Sequence, residues 1–185
     1  MIIYIHGFGG SGLGVKATIF RNYFKKKNQK YIAPSLSYVP DLAISTLEEL
    51  IISYDEKVSL IGSSLGGYYA IYLADKYNLK AVLINPATTP IKTIPRGLQD
   101  GYATNFFDLS RFEINQTHLN MLKKYEVKDP KAELYLLMQQ KGDDVIDYKI
   151  AYEKFKDSKK IVEEGGDHSF RDIERYFQDI ENFFV

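Results

Sequence analysis

The chain has 185 residues, 45% of them hydrophobic and 26% charged, with 24 lysines and arginines against 24 aspartates and glutamates. That length suits one compact domain spanning residues 1–185, and the ordinary composition excludes disordered and collagen-like chains. Zero net charge without a basic block argues against a nucleic-acid or membrane-surface partner. The lack of cysteine removes disulfides, thiolate nucleophiles and thiolate metal sites. The three histidines, His6, His118 and His168, form no His-Glu-x-x-His pair, so no metal or cofactor is expected. Met1 leads directly into Ile2-Ile3-Tyr4-Ile5 with no basic leader, and no apolar run could span a bilayer, so the expectation is a cytoplasmic protein.

Residues 1–5 read as a buried strand, β-branched and aromatic with nothing charged. The loop that follows, from His6-Gly7-Phe8 to Gly14, holds two decoys. Gly7-x-Gly9-x-x-Gly12 spells a dinucleotide fingerprint, but no acidic residue stands at the end of the next strand for a ribose, and Lys16 follows Val15 where a phosphate loop needs Gly-Lys-Ser/Thr. Residues 17–27 carry Ile19, Phe20, Tyr23 and Phe24 at helical spacing and end in lysines suited to a helix C-terminus. Residues 31–33 give a second strand, and Asp41 opens a helix through Leu42, Ile44, Leu47, Leu50 and Ile51. Residues 58–61 are a third strand. An amphipathic stretch then runs to Asn78, and residues 81–84 form a fourth strand closed by Asn85-Pro86.

Residues 87–130 read as irregular chain with one short helix near Leu119, Leu122 and Tyr125, an insertion or small cap beside the strand ends. Residues 134–138 and 160–162 are the fifth and sixth strands. Residues 150–155 form a helix between them, and residues 170–184 a last amphipathic helix. Strands alternating with helices predict an α/β fold: a mostly parallel sheet of about six strands with helices on both faces.

The third strand runs into Gly62-Ser63-Ser64-Leu65-Gly66 and a helical pattern follows at once, which is the form of a nucleophile elbow. A serine hydroxyl must stand clear of the backbone and lose its proton to a base before it attacks a carbonyl. The strand-to-helix turn exposes Ser64, and Gly62 and Gly66 allow the close backbone approach it requires. In a parallel sheet the chemistry collects at the carboxyl ends of the strands. There the sequence places Ser64 after the third, Asp143 and Asp144 after the fifth and His168 after the sixth. In this nucleophile, acid, histidine order, His168 takes the Ser64 proton and a carboxylate fixes its tautomer. The backbone amides of Phe8 and Leu65 are the candidate oxyanion hole.

The His6-Gly7-Phe8 loop, Gly62-Ser63-Ser64-Leu65-Gly66-Gly67, Lys141-Gly142-Asp143-Asp144-Val145 and Glu163-Glu164-Gly165-Gly166-Asp167-His168 together resemble the α/β-hydrolase superfamily. More narrowly, the whole chain is similar to small bacterial esterases of the YqiA/YcfP type. The resemblance implies an esterase or thioesterase acting on a small acyl ester or thioester, with no cofactor; it names neither the ester nor an oligomeric state. The two antiparallel edge strands of larger hydrolases are absent, and Asp147 stands where many relatives carry proline. In related loops the acid is followed by one variable and two apolar residues. That register selects Asp143 and expects Val145 and Ile146 to pack inward and Asp144 to face solvent or cap a helix.

Rival uses of the same groups are lactonase, peptidase, acyltransferase and carbon–carbon hydrolase, and from another class a non-catalytic binding protein that kept the scaffold. His168 has a bland alternative as a helix-capping residue. His6 reads as a structural hydrogen-bonder, His118 as surface, and Ser63 as a pocket or turn residue. Tyr102, Phe106 and Phe107 are candidates for an acyl pocket or for core.

Overall fold

Four apolar residues in a row make β1 (Ile2–Ile5), and all four are buried, as a strand covered on both faces requires. The computed structural model describes residues 1–185, the burial of Gly97 excepted. In chain order there follow α1 (Val15–Lys26), β2 (Tyr31–Ile32), α2 (Pro40–Ile52), β3 (Ser59–Ser63), α3 (Leu65–Tyr77), β4 (Lys80–Ile84), α4 (Pro90–Thr93), β5 (Tyr102–Thr104), β6 (Arg111–Glu113), α5 (Gln116–Leu122), β7 (Tyr135–Gln140), α6 (Tyr148–Lys154), β8 (Lys159–Glu163) and α7 (Phe177–Phe184). The main sheet has six strands in the order β2-β1-β3-β4-β7-β8, every pair parallel.

Alternation along the strands divides the core in two. Ile3, Ile5, Leu60, Leu83 and Leu137 point to the face covered by Ile44 and Leu47 of α2 and Leu73 of α3. Ile2, Tyr4, Ile61, Val82, Ile84 and Met138 point to the opposite face, against Phe20 and Phe24 of α1 and Phe177 and Ile180 of α7. Each fully buried Leu, Ile or Phe side chain contributes about 1.5–3 kcal/mol relative to exposure, so the sheet is anchored from both sides. Among the described residues, no helix is long and apolar enough to cross a membrane.

The structure departs from the sequence-based expectation in two places. Residues 87–130 are more ordered than expected: β5 and β6 pair as an antiparallel hairpin outside the main sheet. The last helix starts at Phe177 rather than near residue 170, because Phe170 and Asp172 adopt left-handed φ values of 59° and 56° that no α-helix accommodates. A short 3₁₀ turn, Ile173–Tyr176, leads into it instead.

Candidate active site

Ser64 joins β3 to α3 at φ 55° and ψ −121°, a conformation costly for a residue with a Cβ. Its surroundings hold it there. The Ser64 N–H donates to the Ile84 carbonyl at 3.1 Å, and its own carbonyl accepts from Gly67 and Ala87, both at 2.9 Å. The turn is tight enough that a Cβ on Gly62 would lie 2.4 Å from the Gly66 oxygen, and one on Gly66 only 2.1 Å from the Ile5 oxygen. Both glycines of the motif are therefore demanded by backbone crossing, as the sequence suggested.

His168, from the loop after β8, reaches Ser64 Oγ with Nε2 at 3.0 Å and Asp143 Oδ2 with Nδ1 at 2.8 Å. With the ring neutral, Nδ1–H donates to the carboxylate, and Nε2 is left to accept from the serine hydroxyl. The Asp143 side chain is only 3% exposed. Its second oxygen accepts from the amides of Val145 and Ile146 at 2.9 and 2.8 Å. Asp144 is exposed, and Asp147 caps α6 by accepting from the Lys149 amide. The expected inward packing of the apolar pair holds for Ile146 alone; Val145 is 58% exposed. The Asx-type turn around Asp143, rather than a hydrophobic pair, fixes this loop.

Two buried amide side chains that the sequence did not single out shape the His168 loop. Asn85 Oδ1 accepts from the Gln140 amide at 3.0 Å, while its Nδ2 donates to the carbonyls of Asp167 and His168 at 2.9 and 3.2 Å. Gln140 Oε1 accepts from the amides of Asp167 and Arg171 at 3.1 and 2.9 Å, and its Nε2 donates to Glu163 and the Arg171 carbonyl. Gly166, at φ 74°, leaves the space this amide fills: a Cβ there would sit 2.1 Å from Gln140 Oε1. Gln140→Ala strips two loop amides of their acceptor, and a donor left unsatisfied on burial costs about 1–3 kcal/mol. The urea unfolding midpoint of the variant should fall accordingly. An unchanged midpoint would show that the loop is held by other contacts.

The loop after β1 touches the serine from the other side, since a Cβ on Gly7 would lie 3.0 Å from Ser64 Cβ. His6 organises this loop: its Nε2 accepts from the Leu36 amide at 2.9 Å, so the proton is on Nδ1, which donates to the Gly7 carbonyl at 2.9 Å. Burial lowers the His6 pKa and favours this neutral form. The β5–β6 hairpin latches onto the same loop, with the Phe106 amide donating to the Gly9 carbonyl at 2.7 Å and Asn105 Nδ2 to Gly10 at 3.3 Å. Among the described residues, the amide N–H groups of Phe8 and Leu65 have no hydrogen-bond acceptor.

A pocket of about 140 Å³ opens beside these two residues, walled by Phe8, Tyr38, Leu65, Tyr69 and Phe112. Tyr102, Phe106 and Phe107 are exposed and line neither this pocket nor the core. Aromatic residues from four separate segments line the pocket, and no local pattern in the sequence announces them. His118 lies outside the Ser64 cluster; its Nδ1 accepts from the Asn115 amide in a capping box at the start of α5. Ser63 is buried and bonded to Lys16, not to the histidine. Among the described residues, no group of three or more His, Asp or Glu side chains could hold a metal ion.

A parallel sheet with a serine on the turn between a central strand and its helix, an acid after a later strand and a histidine after the last defines the α/β-hydrolase fold. Solved structures share it. A putative hydrolase from Agrobacterium vitis superposes with a TM-score of 0.79 at 18% identity, covering 100% of this chain and 87% of that one. Est1E from Butyrivibrio proteoclasticus gives 0.77 at 13% identity, with 98% and 85% covered. A monoacylglycerol lipase from Paleococcus ferrophilus gives 0.70 at 16%, with 99% and 93% covered. At these identities the likeness carries the fold alone. Within that fold, the chain belongs to the uncharacterised protein family UPF0227, which it matches over residues 1–185. A UPF0227 protein from Shewanella woodyi is 32% identical over 94 residues, and that match spans about half of each protein, 49% of this chain and 52% of the relative.

Proposed function

We propose that this protein is a serine hydrolase that cleaves carboxylic esters or thioesters through an acyl-enzyme. The observation that carries the reading is the continuous hydrogen-bonded chain from Ser64 Oγ through the His168 ring to the buried carboxylate of Asp143, with the serine held on a strained turn. As the serine oxygen bonds to the carbonyl carbon, its proton passes to His168 Nε2, and Asp143 stabilises the resulting imidazolium. The oxyanion takes the two free amides of Phe8 and Leu65, close to the positive end of the α3 dipole. Collapse of the tetrahedral species breaks the bond to the alcohol or thiol, which leaves with the proton from His168. Water then repeats the sequence on the acyl-serine and releases the acid.

The esterase and lipase names of the structural neighbours agree with this chemistry. The aromatic pocket beside Phe8 and Leu65 suits a short or medium acyl group, with residues 87–130 serving as a small cap. A stopped-flow assay with p-nitrophenyl acetate, butyrate and octanoate tests the reading. The expected result is a stoichiometric burst of nitrophenol followed by slower turnover, the mark of an accumulating acyl-enzyme. No turnover of these esters or of an acyl thioester would overturn it.

A further inference from the structure

On the face of the sheet opposite the aromatic pocket, a lysine occupies a place that a helix normally reserves for apolar side chains. Lys16 lies in the first turn of α1, four and eight residues before Phe20 and Phe24, whose side chains are buried against the sheet. Partly buried, it forms no salt bridge among the described residues. Its Nζ donates to Ser63 Oγ at 2.8 Å, directly under the turn that presents Ser64. Ser63 is 5% exposed, and Tyr4 of β1 is buried on the same face of the sheet.

The groups near this ammonium come from four segments. They are Ser63 of β3, with Tyr4 of β1 behind it, and the carboxylates of Asp143 and Asp167 from the loops after β7 and β8. Both carboxylates have their own partners, Asp143 in two amides and His168, and Asp167 in Ser169 and Arg171. Neither is within ion-pair distance of Lys16 among the described residues, so the lysine charge is not consumed in a salt bridge. A partly buried cation under the turn of the reacting serine, with no salt-bridge partner, is costly to keep for stability alone.

We propose that Lys16 is a positioning residue for the acyl-transfer step: it fixes Ser63, and with it the turn that aims Ser64, and its charge steadies the anionic side of the Ser64–His168–Asp143 chain. This rests on the serine-hydrolase reading. Desolvation pushes the Lys16 pKa down to about 8, against the smaller upward pull of Asp167 and Asp143. The sign for activity follows: the cation is present below that pH and lost above it, so the rate should fall as pH rises through this range. The sign for stability is opposite. A lysine with a depressed folded pKa opposes folding where it is charged, so removing it at neutral pH should not weaken the fold.

The test compares wild type, Lys16→Met and Lys16→Arg as full chains in p-nitrophenyl butyrate hydrolysis from pH 6 to 10, with urea midpoints measured in parallel. At the effective dielectric of a protein, a charge several ångströms from the reacting groups is worth about a tenfold change in rate. Lys16→Met should therefore lose about tenfold in kcat, keep KM, lack the alkaline fall and unfold no earlier than wild type. Lys16→Arg should keep most of the rate and carry it to higher pH. A Met variant with wild-type kcat and pH profile overturns the proposal, as does one whose loss matches a lowered midpoint. If the Met variant does not fold, the wild-type profile decides: a rate that does not decline above about pH 8 overturns it. An inert wild type would instead bring down the hydrolase reading itself, so the two failures are distinct.

Discussion

Asp143→Asn should lower kcat by about 10⁴-fold, as the equivalent change does in the serine-protease template, whereas Asp144→Asn should cost little. The two aspartates are neighbours in sequence and opposites in environment. Asp143 is buried, accepts two backbone amides on one oxygen and binds His168 Nδ1 with the other. An asparagine amide fits the same space, but its NH₂ turned toward the ring favours the histidine tautomer with the proton on Nε2. That nitrogen can then no longer accept from Ser64. Asp144 is exposed and touches none of these groups. Kinetics on the two folded variants would reassign the acid if the ordering came out reversed.

Ser64→Ala should reduce ester hydrolysis by about 10³-fold or more while leaving the fold intact. The oxygen removed makes its hydrogen bond to His168. The unusual backbone of the turn is enforced by Ile84, Ala87 and Gly67, which an alanine still meets. Ser63→Ala is the control. That side chain is buried under the turn, is bonded to Lys16 and lines no part of the pocket, so its loss should give a smaller defect. A folded Ser64→Ala protein with near-wild-type activity, beside a dead Ser63→Ala, would move the nucleophile by one residue.

The central sheet and the Ser64–His168–Asp143 cluster were legible in the sequence because each rests on a local signal. Unbroken apolar runs such as 1–5 and 81–84 have few alternatives to a buried parallel strand. Gly62 and Gly66 mark the turn whatever surrounds it, and the apolar pair Val145-Ile146 after Asp143 gives the register of the acid loop, although only Ile146 packs inward. What escaped was non-local. The β5 and β6 strands are three residues each with one buried side chain apiece, too short for an alternation to register. The break before α7 comes from left-handed Phe170 and Asp172, residue types that give no warning of it. Asn85 and Gln140 look like ordinary polar residues at strand ends until the His168 loop folds over them. Lys16 carries a usable signal beyond its mismatch with a phosphate loop: it is a lone cation in line with the apolar stripe of α1.

The proposed chemistry turns on whether Ser64 is an activated nucleophile. Its most direct test is stoichiometric labelling of the folded protein with a fluorophosphonate, followed by mass mapping of the adduct. The prediction is one phosphonyl group on Ser64, formed in wild type and absent from Ser64→Ala, with formation strongly slowed in His168→Ala. A protein that stays unlabelled, or that carries the group on Ser63 or another serine, would contradict it.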